Sequence, residues 1–190
     1  MAVCNSLIAQ NIAIDCDDLV VRGVEADGLI INRDQVDFAS SVVTDNIIST
    51  LTLKTSCVAY EVVQQGATPF TGTQTSLVVG TNRNTWENVV SLVVLGNNPD
   101  VNKDIIDPLG NGSFVVILKN KQTANKGKYQ VFGWYQGLRA SEITSEKYSE
   151  DTDGGWAVNL TESQALKSAM YFYKTDDATT DTAYEALKGS

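Results

Sequence analysis

"GKYQVFGWYQGL", residues 127–138, sets four aromatic side chains among three glycines in twelve positions. Alternate residues of a strand point to opposite faces, which places Tyr129, Val131 and Tyr135 on one side and Phe132, Trp134 and Leu138 on the other. Neither side reads as a water face. Gly133 and Gly137 weaken an isolated strand, so they predict a bulge or the close approach of another backbone. The fold must therefore cover this segment on both faces.

The rest of the chain offers the means. Its 190 residues, 43% of them hydrophobic, suffice to bury one sizeable core. A single domain over 1–190 is expected, with an N-terminal arm at 1–18, a long inter-strand loop at 64–84 and a C-terminal tail at 176–190. No apolar run approaches the roughly 20 residues of a membrane helix. The start "MAVCNSLIAQN" has neither a basic segment nor a continuous apolar one, so a cytoplasm-like compartment of synthesis is expected. Three cysteines, Cys4, Cys16 and Cys57, are too few and odd in number for a disulfide scaffold. Reduced thiols are expected in preference to a Cys4–Cys16 bridge.

Two absences narrow the function. Without histidine the chain lacks the commonest general base and the usual partner of nucleophilic Ser and Cys, so no enzymatic activity is expected. With 14 Lys and Arg against 23 Asp and Glu, the formal charge is −9. Tight nucleic-acid binding needs the opposite balance, although a surface that repels DNA remains compatible.

Along the chain, residues 19–24 and 29–32 read as the two arms of a hairpin around "EADG", with Asp27-Gly28 as its turn. Residues 47–53 alternate as a strand, with Ile47, Ser49, Leu51 and Leu53 on one face, and 57–63 continue extended. Residues 64–84, dense in Gly, Thr, Asn and Gln, read as a loop whose Leu77–Val79 segment docks against something. "TWENVVSLVVLG" resumes the sheet, and its residues 92–95 predict burial on both faces. A short helix follows, with Asn98 as cap, Pro99 at its first position and Pro108 as its stop. Residues 114–118 form a strand, and "NKQTANKGK" turns into the opening stretch. Residues 141–150 read as a loop or helical turn and "EDTDGGW" as a hairpin turn. Residues 156–161 form a strand. "TESQALKSAM" has the capping-box spacing from Thr161 to Gln164 and suits a helix, "MYFYK" looks extended, and "TAYEALK" is weakly helical.

No candidate site survives its weighing, so no catalytic, cofactor-binding or metal-ligating residue is expected. Asp100, Asn102 and Asp104 match the first, third and fifth places of a calcium loop, but Ile105 stands where glycine is needed and Asn111 where a bidentate Glu belongs. The acidic clusters "DCDD" and "EDTDGG" read as solvated turns. The sequons at Asn111 and Asn159 carry no meaning without secretion. Gly110 and Gly112 lack the third glycine and following helix of a phosphate loop.

The order of features over 47–173 resembles a known family. "STLTLKTSCVAYEVV", a polar loop, "WENVVSLVVL", a short helix, "FVVILKN", "ANKGKYQVFGWYQGL" and "DTDGGWAVNLTES" are similar in sequence and order to the tail tube proteins, or major tail proteins, of tailed bacteriophages. The likeness is to those of Bacteroidetes phages and prophages in particular. It rests most on Gly127-Lys128-Tyr129, Gly133, Gly137-Leu138 and the later Gly154-Gly155-Trp156. The resemblance implies a mainly β, sandwich or barrel-like subunit with one or two short flanking helices, a long loop and terminal arms. Such subunits form hexameric rings that stack into a hollow tube in the virion tail. The implied partners are other copies of the chain, the tape measure, the tail tip or baseplate, the terminator and, in contractile tails, a sheath. Phage DNA would pass through the lumen without specific binding, and an acidic lumen would let it slide. The alternatives are another virion protein, for head decoration or tail completion, and a β-sandwich glycan-binding module using Phe70 and Trp156.

Overall fold

"FVVILKN" forms strand β7, Phe114–Asn120, and its first five side chains are all buried. A strand without a water face needs cover on both sides. A computed structural model of the chain supplies it, describing residues 8, 11–12, 21–121 and 126–189. Within these residues the protein is mainly β, with two sheets packed as a sandwich.

The larger sheet runs in the order β2 (Val42–Thr44), β3 (Ile47–Thr50), β11 (Met170–Phe172), β8 (Tyr129–Phe132), β7, β1 (Val24–Asn32) and β4 (Tyr60–Val63). The smaller runs β5 (Gln74–Val78), β6 (Thr85–Val94), β10 (Trp156–Ala165) and β9 (Arg139–Thr144). Only β3 and β11 pair in parallel. Between the sheets lies one core, in which Val116, Leu118 and Phe132 meet Val90, Leu92, Val158 and Leu160. On the far side of the larger sheet a second core packs Leu29, Ile31, Val115, Ile117, Tyr129, Val131 and Phe172 against Tyr184 and Leu187. Tyr184 belongs to helix α3, Asp177–Glu185. Both faces of β7 and β8 are thus covered within one chain. Each fully buried Leu, Ile, Val or Phe contributes about 1.5–3 kcal/mol relative to exposure.

The opening stretch behaves as its glycines demand. β8 stops at Phe132, and Gly133 adopts φ +82°. That left-handed residue shifts the alternation, so Trp134 joins Tyr129 and Val131 in the second core instead of sharing a side with Phe132 and Leu138. Leu138 then exchanges two backbone hydrogen bonds of 2.8 Å with Phe114 and passes the chain into β9. A Cβ on Gly133 would lie 2.3 Å from the Phe114 carbonyl oxygen.

Several other expectations are corrected. Asp27-Gly28 is no turn: β1 runs straight through it, with a bulge between Val24 and Gly28, and a Cβ there would lie 2.7 Å from Leu118 Cδ2. The glycine makes room for packing. The expected loop at 64–84 contains β5, whose residues pair with β6 from Gln74–Val89 to Val78–Thr85. Ile48, not Ile47, is the fully buried residue of β3, and the strand ends before Leu51, which turns into the same core. β6 alternates: Asn88, Val90 and Leu92 are buried, while Leu95 just beyond it is 50% exposed.

Asn98 does cap the helix, its side chain accepting from Val101 N at 2.9 Å, and Pro99 follows at its start. Pro108 does not end it. Helix α1 (Pro99–Val101) passes into a π turn, Asn102–Ile106, and on into α2, Asp107–Asn111. The π turn bonds Asp107 N to the Asn102 carbonyl, and Pro108, lacking an N–H, then falls in the first turn of α2. Of the stretch 141–150, read as a loop or helical turn, residues 141–144 belong to β9, an edge strand paired with β10 across a bulge, and 145–150 form a connection outside strand and helix. "TESQA" completes β10 and is not helical, because its residues pair with β6 across a bulge between Glu162 and Ala165. Residues 170–172 are extended, as expected, whereas the helix, Asp177–Glu185, overlaps the expected "TAYEALK" only at residues 182–185 and starts five residues before it. The C-terminal segment is packed, with Tyr184 1% and Leu187 8% exposed. Positions 13–18, with Cys16 and "DCDD", as well as Cys4 and residues 122–125, lie outside the described residues.

Candidate functional site: a polar sheet face over a buried carboxylate

Val158, Leu160 and Glu162 share the inner face of β10, so the third of this series carries a carboxylate into the sandwich. Glu162 is 1% exposed. A buried carboxylate needs donors for its lone pairs, and here four converge. Oε1 accepts from the backbone N–H groups of Tyr135 and Gln136, each at 2.8 Å. Oε2 accepts from Gly133 N at 3.0 Å and from Asn88 Nδ2 at 2.9 Å. Asn88, itself 5% exposed, accepts through Oδ1 from the Thr75 hydroxyl at 2.7 Å.

The three backbone donors belong to the turn after β8, where Gly133 exposes its N–H to the acid. This turn is fixed from its other side by Arg33, whose Nη2 donates to the Tyr135 carbonyl at 2.7 Å. The Arg33 guanidinium lies 4.7 Å from the Phe38 ring centre, and Phe38 meets Trp134 edge-on at 5.0 Å. Burial, helped by the Glu162 charge, raises the Tyr135 phenol above its ordinary value. Its hydroxyl contacts Met170 Sδ at 3.4 Å.

A second inter-sheet tie is made by Gln64, 7% exposed, just past β4. Its Nε2 donates to the Val93 carbonyl at 3.0 Å and its Oε1 accepts from Val93 N at 2.7 Å. The side-chain amide thus mimics a strand partner for β6 beyond the end of β5.

The outer face of the small sheet is a different surface. The pairing register puts Gln74, Ser76, Val78, Glu87, Val89, Ser91, Asn159, Thr161, Arg139 and Glu142 on the side away from the core. Hydroxyls and amides bond across strands: Ser91 Oγ to Asn159 Oδ1 at 2.7 Å, Thr161 Oγ1 to Ser141 Oγ at 2.9 Å, and Asn159 Nδ2 to Glu142 Oε2 at 3.3 Å. Its charges are two carboxylates, Glu87 and Glu142, against one guanidinium, Arg139. The face opens into a shallow groove of about 740 Å³ bordered by Glu87, Gln136, Arg139, Ser141 and Thr161. Among the described residues the sheet ends in two unpaired edges, β5 and β9. At the C-terminal end of β5, Leu77 and Val78 are 48% and 42% exposed, and Val79 just beyond it is 79% exposed.

Helix α3 is anchored by an ionic cluster on β8 as well as by Lys188, which bridges Glu185 of the helix and Glu61 of β4 at 2.8 and 2.6 Å. Lys128 Nζ reaches both Asp181 oxygens at 2.6 Å, and Tyr129 Oη donates to Oδ1 at 2.8 Å. Burial pushes the Asp181 carboxyl up, but the bonds from Lys128 and Tyr129 outweigh it and hold the group below its ordinary value. Tyr129 stacks on Tyr184 with ring centres 4.4 Å apart, and burial raises both phenols.

The residues singled out in the sequence fall elsewhere. Asp100, Asn102 and Asp104 lie in the α1 and π-turn segment. Among the described residues no group of three or more His, Cys, Asp or Glu could hold a metal ion. No helix of the described residues is long and apolar enough to cross a membrane. Phe70 and Trp156 form no sugar platform: Phe70 is 4% exposed within the inter-sheet core, and Trp156 packs half-buried against it. Glu162 was hidden inside the apparent capping box. Its signal was parity, since it continues the apolar series Val158 and Leu160. Comparison with protein-family models, curated proteins and solved structures gives no match.

Proposed function

We propose that the protein is a structural subunit that joins copies of itself edge to edge into hexameric rings, stacked as the hollow tail tube of a bacteriophage. The small sheet carries this proposal. It has a free strand at each side, so β5 of one copy can pair with β9 of the next, a head-to-tail contact that closes into a ring when the rotation allows. Closure would bury two unpaired edges per subunit and cover Leu77, Val78 and Val79. The outer face of such a sheet would line the lumen, and its hydroxyls, amides and two carboxylates against one guanidinium suit a channel through which DNA moves without sticking. On this proposal the chain is made in the host cytoplasm and resides in the virion. Its partners are its own copies, the tape measure, the tail tip or baseplate and the terminator.

Electron microscopy and light scattering over a range of protein and salt concentrations, with and without a tail tip complex, test the proposal. Rings or tubes are expected. A chain that stays monomeric even with the initiating complex would overturn it.

A further inference from the structure

Thr75 and the turn at 133–136 lie on opposite sides of Glu162, and hydrogen bonds connect them without a gap. The Thr75 hydroxyl donates to Asn88 Oδ1 at 2.7 Å, and Asn88 Nδ2 donates to Glu162 Oε2 at 2.9 Å. The carboxylate collects the N–H groups of Gly133, Tyr135 and Gln136 at 3.0, 2.8 and 2.8 Å. Thr75 is on β5, one free edge of the small sheet, and the turn leads through Leu138 directly into β9, the other free edge. Serial bonds of this kind polarise one another, and the two buried ones, from Asn88 and from Gly133 to Glu162, are strengthened by exclusion from water.

We propose that Glu162 is a positioning residue that couples the two edges: order in β5 is transmitted through Asn88 and the carboxylate to the turn that launches β9. Among the described residues the charged side chains bonded into this relay are Glu162 itself and, on the far side of the turn, Arg33 through the Tyr135 carbonyl. The relay is therefore a chain of oriented dipoles that runs through one carboxylate. Its consequence for assembly rests on the ring proposal: a copy whose β5 has been captured would present a better ordered β9 to the next. The coupling itself is a property of the single subunit.

Amide hydrogen exchange on the full chain, kept dilute and monomeric, tests it. Thr75→Val keeps the shape of the side chain and removes the donor. It should accelerate exchange at Tyr135 and Gln136 about tenfold, as expected for loosening one hydrogen-bonded unit. Thr75→Ser, which restores a hydroxyl, should return those amides to the wild-type rate. Gln74→Gly, on the neighbouring outward position of the same strand, serves as a control for weakening β5 without touching the relay. The proposal is overturned if Thr75→Val alters only the amides of β5 and β6, or if Gln74→Gly has the same effect at 135 and 136. A chain that forms no rings leaves this exchange test intact, so the two proposals fail separately.

Discussion

The Gly133 backbone N–H donates to Glu162 Oε2 at 3.0 Å across 29 residues of sequence. The larger sheet thereby hands the smaller one a turn already wrapped around an acid, with Tyr135 and Gln136 adding two donors at 2.8 Å. Removing the acid would leave three backbone N–H groups and the Asn88 amide without their acceptor, with the Gly133 N–H and the Asn88 amide buried away from water. Glu162→Leu is therefore expected to destabilise by about 3–5 kcal/mol in urea unfolding. Glu162→Gln keeps one acceptor oxygen but turns an NH₂ toward donors, and should cost roughly 2 kcal/mol. Equal stability of Glu162→Leu and wild type would show that the turn holds itself.

Gly133 should be the least replaceable glycine of the opening stretch. Its φ is +82°, and an added Cβ would meet the Phe114 carbonyl at 2.3 Å and Leu138 N at 2.9 Å. Both are backbone atoms that also pair with each other, so neither can yield cheaply. Gly133→Val is expected to lose more than about 3 kcal/mol or fail to fold. Gly66 separates strain from crowding. Its φ is +104° but nothing lies within 4 Å of the added atom, so Gly66→Ala should cost only about 1 kcal/mol. Similar melting temperatures for the two variants would refute the steric account.

What could be seen in the sequence was whatever depends on near neighbours. The Asn98 cap, the buried run of β7 and the close backbone approach at Gly133 follow from local chemistry. What could not be seen depends on partners far along the chain. Asp27-Gly28 carries a turn signal, but pairing with both β4 and β7 holds it in a strand. Thr161 to Gln164 has helix-capping spacing, yet ladders to β6 and β9 outweigh that local preference. Gln64, read as the first residue of a loop, closes a ladder with Val93 through its side chain. The polar outer face was partly legible, since Asn159 and Thr161 alternate with Val158 and Leu160. The free edges were not, because strand order is absent from periodicity.

Asp181 sets an acid limit on the docking of α3. Its carboxyl is held below the ordinary 3.8 in the folded state, so the stabilisation is present above that value and is lost as pH falls through the folded one. The side chain is 42% exposed, which keeps the contribution below about 1 kcal/mol. Asp181→Asn should therefore lower the melting temperature by up to about 4 °C at pH 7. The difference from wild type should shrink as the pH is taken below 3.8. A gap that stayed constant through that range would mean the Lys128–Asp181 pair contributes nothing through charge.

Val79 offers the cleanest separation of fold from assembly. At 79% exposure, beyond the end of β5, it contributes little to either core, whereas in an edge-to-edge ring it would lie beside the neighbouring copy. Val79→Lys places a strongly hydrated charge at that edge, a substitution that natural sheets use to prevent edge pairing. Thermal unfolding should change by less than about 0.5 kcal/mol, as for other exposed surface positions. Ring and tube formation should fall sharply, read by sedimentation and electron microscopy beside wild type. The control is Tyr148→Lys, 97% exposed in the connection between β9 and β10, which removes a large exposed side chain outside both edge strands. If the two variants assemble alike, β5 is not the joining edge; if only Val79→Lys is defective while both fold normally, the contact is made there.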